Sequence, residues 1–78
     1  MLEKVKEYYD ELILDTRRGV ERKYSWYDHS VFENTVAQGL GVAQFVQHCG
    51  VEFEDITPLY EKFEATIAEL EEQWKENH

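Results

Sequence analysis

The chain has 78 residues, of which 17 are acidic and eight are basic, so its formal net charge is −9 at pH 7. A chain of this length forms one domain, residues 1–78, and its charge disfavours nonspecific attraction to nucleic acid or to anionic lipid. The single cysteine excludes an internal disulfide, and because no apolar run of about 18 residues could span a membrane, we expect a cytoplasmic protein.

The first predicted helix covers residues 2–24. Apolar and aromatic side chains recur at helical spacing along one side of this segment, from Leu2 through Tyr24. Gly19 follows two arginines and is an acceptable helix end, so a break at Gly19 is the alternative. The unbroken periodicity favours a continuous helix.

A second helix is predicted over residues 31–49. Ser30 and Glu33 have the spacing of a capping box, in which each side chain satisfies a backbone amide of the other residue. Gly50 can adopt the left-handed conformation that ends many helices. Apolar residues cover more than half of the circumference of this helix, so we expect it to be the most buried of the three.

The third predicted helix covers residues 58–76. Thr57 is a favourable N-cap, and Pro58 loses no hydrogen bond at the first helical position. One side of the helix is apolar and the other is rich in carboxylates. Together the three segments predict an all-α fold, a small antiparallel three-helix bundle.

Neither catalysis nor a cofactor is expected. Ser25, Asp28 and His29 lie within five residues and offer a nucleophile, an acid and a base, but they fall between two helices, where capping is the favoured role. Four side chains are soft or borderline metal ligands, namely His29, His48, Cys49 and His78. The predicted helix separates the first two by about 28 Å, so we expect no metal site, and we expect Cys49 to be a small buried side chain.

The acidic surface of the third helix is the predicted binding site. Its residues are Glu61, Glu64, Glu69, Glu72 and Glu76 on the predicted helix, with Glu54 and Asp55 just before that helix. Rows of carboxylates at turn spacing can imitate a phosphate backbone and attract a basic cleft. The sequence therefore favours a non-catalytic protein-interaction module with a basic, nucleic-acid-binding protein as its partner. An inhibitor with a DNA-like surface is one form of such a module, and another partner-binding role is the other. A solvated helix surface without a partner is the alternative interpretation of such a charge run.

A second contact surface is predicted from cations, aromatic residues and small residues. It comprises Arg18, Arg22, Tyr24, Trp26, Tyr27, Gly39 and Ala43. Cations beside stacking groups can bind single-stranded nucleic acid, but so few cations in so acidic a chain favour ion pairs with a neighbouring helix or subunit. Gly39 and Ala43 would let a neighbouring helix approach closely, although the glycines could simply weaken their own helix. The alternative function is thus a homodimeric structural or accessory protein whose self-association completes a small core.

Overall fold

The computed structural model describes residues 1–76, which form three α-helices: α1, Leu2–Glu21; α2, His29–His48; and α3, Phe53–Glu76. The start of α2 contacts the end of α3, through the rings of Phe32 and Trp74, so these helices are antiparallel. All three helices pack against one another in a bundle of 42 × 17 × 17 Å. The prediction of an all-α three-helix bundle is confirmed. Two residues of the predicted domain 1–78, Asn77 and the candidate ligand His78, lie outside the described residues.

Helix α1 continues through Gly19, as favoured, but it ends at Glu21 and not at Tyr24. Lys23 adopts a left-handed conformation with φ 54°. Its amide donates to the carbonyl of Val20 at 3.2 Å, and the amide of Tyr24 donates to the carbonyl of Gly19 at 3.2 Å. These two bonds form a Schellman motif, in which a lysine occupies the position that glycine usually takes.

Gly19 is required for close packing, and no helix end is present there. The ring of the buried Tyr27 occupies the space that a Cβ on Gly19 would need. The chain between α1 and α2 therefore folds back onto α1, where the ring of Tyr27 packs against Gly19.

Helix α2 begins at His29, because Asp28 is its N-cap. The Asp28 carboxylate accepts hydrogen bonds from the Ser30 amide at 2.9 Å and from the Ser30 hydroxyl at 2.5 Å. The predicted capping box is wrong, since the Glu33 carboxylate instead contacts His29 at 2.8 Å. The helix ends at His48, one residue before the predicted end, and Gly50 follows in the left-handed region with φ 107°, as expected.

Helix α3 begins at Phe53, five residues before the predicted start at Pro58. The Thr57 hydroxyl is not an N-cap, since it donates to the carbonyl of Phe53 at 2.7 Å, one turn earlier. The added turns place Ile56 in the core, where it is fully buried. Burial of such a side chain contributes about 1.5–3 kcal/mol, which offsets much of the roughly 3 kcal/mol that proline costs inside a helix.

The most central helix is α3, so the prediction that the middle helix is most buried is wrong. Helix α3 packs extensively on both α1 and α2, whereas α1 and α2 contact each other least. Two large apolar residues of α2 stay exposed, Leu40 at 42 % and Phe45 at 65 %. The apolar surface of α2 is therefore broader than the surface that α1 and α3 bury.

A contact at Gly39 ties the three helices together. The ring of Tyr9 in α1 stacks on that of Phe63 in α3, with centroids 4.5 Å apart, and the Tyr9 hydroxyl donates to the Gly39 carbonyl at 2.8 Å. Gly39 and Ala43 are both buried. The small size of Gly39 admits Phe63 of the same chain, so the prediction that Gly39 belongs to a dimer surface is wrong, whereas for Ala43 it stays a prediction.

Candidate functional site

The acidic face of α3 is exposed, and we define it as the seven predicted carboxylates Glu54, Asp55, Glu61, Glu64, Glu69, Glu72 and Glu76. Glu54 and Asp55 lie in the first turn of α3, where the helix dipole favours negative charge. At 100° per residue, Glu54, Glu61 and Glu72 point within about 20° of one another. The face extends about 33 Å along the helix axis from its first to its last carboxylate.

Few of these carboxylates have a cationic neighbour. Within residues 1–76, the one ion pair of the acidic face joins Glu72 to Lys75 at 3.7 Å. Both side chains are more than half exposed, so this pair contributes about 0–1 kcal/mol. The negative charge of the face is therefore nearly uncompensated.

Glu64 differs from its neighbours because it accepts a hydrogen bond from the Tyr60 hydroxyl at 2.8 Å. Burial of the phenol, together with this bond and the charge of Glu64, raises the pKa of Tyr60 to about 12. Tyr60 thus stays protonated and holds one carboxylate of the acidic face in a fixed position.

A groove lies between α2 and α3, on the flank of the bundle where no α1 residue forms a wall. It contains two hollows of about 280 Å³ and 250 Å³, and Glu64 borders both. The first hollow has walls from Leu40, Ala43, Phe53, Ile56, Tyr60 and Glu61. The second has walls from Phe32, Glu33, Val36, Ile67, Ala68 and Glu71. We call this feature the α2/α3 groove. Sequence analysis missed it, because its two walls come from separate helices.

His29 lies at the far end of the α2/α3 groove, between two carboxylates. Its Nδ1 is 2.5 Å from Glu71 Oε2, and its Nε2 is 2.8 Å from Glu33 Oε1. A histidine can donate from both ring nitrogens only when it is protonated. The hydrogen bond with Glu71 and then that with Glu33 raise the pKa of His29. The four-residue spacing of His29 and Glu33 could have predicted the contact between these two side chains. No pattern in the sequence predicts the contact of His29 with Glu71.

Some residues of the second predicted contact surface are exposed and others are buried. Trp26 is 65 % exposed and stacks on Tyr24, with centroids 5.3 Å apart. Arg18 lies 3.9 Å from an aspartate of its own helix, and the Arg22 guanidinium donates to the Tyr24 hydroxyl at 3.4 Å. Tyr27 is buried. The prediction that Tyr27 is a contact residue is therefore wrong, and the expected ion pairs with a neighbouring helix do not form within residues 1–76.

The remaining candidate catalytic and metal-ligating residues do not come together in the fold. The contacts of Asp28 and His29 described above leave Ser25 without either as a partner, so no triad forms. Cys49 is exposed, contrary to the expectation of burial. Among residues 1–76, no group of three or more His, Cys, Asp or Glu side chains is placed to hold a metal ion.

Of the helices in residues 1–76, none combines the length and the apolarity that a bilayer crossing requires. Comparison with known proteins finds no match for this chain among family models, curated proteins or solved structures.

Proposed function

We propose that this chain is a non-catalytic, cytoplasmic interaction module that presents the acidic face of α3 to a basic protein. The observation that supports this proposal is the near absence of compensating cations. Seven exposed carboxylates follow one helix, and one of them has a lysine partner within residues 1–76. Such a surface attracts a basic protein from a distance and speeds its association.

A DNA-like mode of binding follows from the same charges. A rigid helix holds the carboxylates along about 33 Å, and a nucleic-acid-binding cleft presents Lys and Arg at comparable spacing. Occupation of that cleft by the acidic face would inhibit the partner by excluding its nucleic acid. The module itself then needs no contact with nucleic acid, membrane or small molecule.

The test is a pair of triple charge reversals. One variant replaces Glu61, Glu69 and Glu72 with Lys, and its control replaces three exposed acids of α1, Glu7, Asp10 and Glu11, with Lys. Each triple changes the net charge from −9 to −3, so the two variants differ only in where the charge lies.

We would immobilise each protein, apply a cell lysate at about 0.15 M and about 0.5 M salt, and identify the proteins retained. Wild type and the α1 control should retain the same basic proteins at low salt and release them at high salt, and the α3 triple should retain none of them. Equal retention by both triples, or retention that ignores salt, would contradict the proposal. Circular dichroism should show unchanged helicity in all variants.

The second candidate function is self-association. Phe45 and Met1 are 65 % and 63 % exposed, and they border an apolar hollow between α1 and α2 with Val42. A second copy could cover these residues, although not through Gly39, whose space Phe63 fills. Sedimentation of the wild type and of Phe45→Gln distinguishes the cases. A monomer at micromolar concentration, with a melting temperature independent of dilution, excludes obligate dimerisation.

A further inference from the structure

We propose that the α2/α3 groove binds an amphipathic helix of the partner, one with an apolar stripe and with Lys or Arg along a single edge. This inference rests on the proposed function, because it names the partner segment that the acidic module recognises. It also differs from DNA mimicry. A phosphate-like surface requires only cations from its partner, whereas this groove also requires apolar side chains from it.

The α2 wall of the groove is one continuous helical stripe. Its residues are spaced at four, four, three and four positions, namely Phe32, Val36, Leu40, Ala43 and Gln47. The opposite wall runs from Phe53 to Glu71 of α3, which is about 27 Å at 1.5 Å per residue. A docked helix of about 18 residues would fill this length and lie beside two antiparallel helices, as a fourth helix does in a bundle.

The two walls differ in charge. The α3 wall presents Glu61 and Glu64 at the border of the apolar floor. The chain has no formal charge from Asn34 through Val51, which includes most of the α2 wall. The carboxylates at the far end, Glu33 and Glu71, are already in contact with His29. A complementary helix therefore carries its cations on the edge that faces α3 and neutral residues on the edge that faces α2.

The open shape of the hollows favours the side chains of a docked helix over a small molecule. Small-molecule pockets usually enclose about 300–1,000 Å³ and bury most of the ligand surface. These hollows hold about 280 Å³ and 250 Å³, and both are open along the groove. Each accommodates one or two apolar side chains that a helix presents at successive turns.

Two exposed apolar residues at the edge of the first hollow provide the sharpest probes. Leu40 is 42 % exposed and Phe53 is 65 % exposed, so replacing either with Gln leaves the core intact. Leu14 in α1 is 45 % exposed and lines neither hollow, so Leu14→Gln is a matched control for Leu40→Gln. Losing the contact of one such side chain with a docked apolar residue should weaken binding about tenfold or more.

The probe is a fluorescently labelled synthetic helix with leucines at helical spacing and lysines along one edge. Its control has the same lysines, with every leucine replaced by glutamine. Fluorescence anisotropy should show that wild type and Leu14→Gln bind the leucine peptide equally and that Leu40→Gln and Phe53→Gln bind it about tenfold more weakly. The glutamine peptide should bind poorly to all of them. In amide NMR spectra, Ala43 and Tyr60 should shift when the peptide binds.

Equal binding of both peptides, equal effects of the Leu14 and Leu40 replacements, or no binding of the leucine peptide by wild type would overturn the groove inference. The proposed acidic function has a separate readout in the Glu61, Glu69 and Glu72 reversal. If that triple loses the glutamine peptide while Leu40→Gln changes nothing, the acidic face binds without the groove. If Leu40→Gln weakens binding of the leucine peptide while the triple reversal does not, the groove binds and the acidic proposal fails.

Discussion

Two glycines in one helix should respond in opposite ways to the same substitution. Gly39 and Gly41 both lie inside α2, two residues apart. A Cβ added to Gly39 would overlap the ring of Phe63, whose Cδ2 lies 2.8 Å and whose Cζ lies 3.0 Å from that position. A Cβ added to Gly41 meets nothing within 4 Å. Their intrinsic helix propensity is the same, so any difference reports packing.

The magnitudes follow from these surroundings. Gly41→Ala should stabilise the protein by about 0.5–1 kcal/mol, the gain from replacing an exposed helical glycine. Gly39→Ala has the same gain but forces apart a ring that is 1 % exposed and stacked on Tyr9. Overpacking costs about 1–3 kcal/mol, and displacing the Tyr9 hydroxyl from the Gly39 carbonyl costs about 1 kcal/mol more. We expect a net loss of about 1–3 kcal/mol.

Thermal and urea unfolding, followed by circular dichroism, measures both effects. In a domain of this size, about 1 kcal/mol shifts the melting temperature by about 4–8 °C. Gly41→Ala should therefore melt above wild type and Gly39→Ala below it, with unchanged urea m-values. If Gly39→Ala is as stable as Gly41→Ala, the three-helix contact at Gly39 is not as described, and the position of α3 between α1 and α2 would need revision.

Further expectations concern one backbone position and one histidine. Lys23→Gly should stabilise the protein by about 0.5–1 kcal/mol in urea unfolding, because glycine has no penalty at φ 54°; the same change at Arg22, where φ is −83°, should destabilise it. The pKa of His29 is raised by its two carboxylate neighbours, so the stability it contributes is complete below about pH 6.5 and is lost as the pH rises through the folded-state pKa. Unfolding between about pH 6 and pH 8 should show this decline in wild type and in His48→Gln but not in His29→Gln, and NMR titration of Glu71→Gln should give a lower His29 pKa than in wild type.

The local pattern of the chain was sufficient for the number and the type of its elements. Apolar residues at helical spacing predicted three helices, and the same spacing placed the carboxylates of α3 on the solvent side, where they are found. Gly50 also ends α2 as predicted, because its conformation is a property of a few consecutive residues. Such features depend on neighbours within about one or two helical turns.

Helix boundaries and exposure depended on distant residues. Helix α3 begins five residues ahead of Pro58, since burial of Ile56 in the core offsets much of what the proline costs inside the helix. Gly19 resembled a helix end by composition, but the ring of Tyr27 requires a small residue there while Lys23 ends the helix. The sequence alone offers no means to weigh a local preference against a contact that exists only after folding.

Some features of the candidate site could be predicted from the sequence, and others depend on the tertiary structure. One helix and its periodicity determine most of the acidic face, so five of its carboxylates could be placed on α3 before the fold was known, whereas Glu54 and Asp55 were expected just before that helix. The α2/α3 groove and the contact of His29 with Glu71 join residues that are remote along the chain. The positions of the groove and of this contact depend on the orientation of α2 about its own axis. In the fold, that orientation places Gly39 against Tyr9 and Phe63. Side-chain volume at that three-way contact sets the rotation, and helical spacing by itself leaves it undetermined.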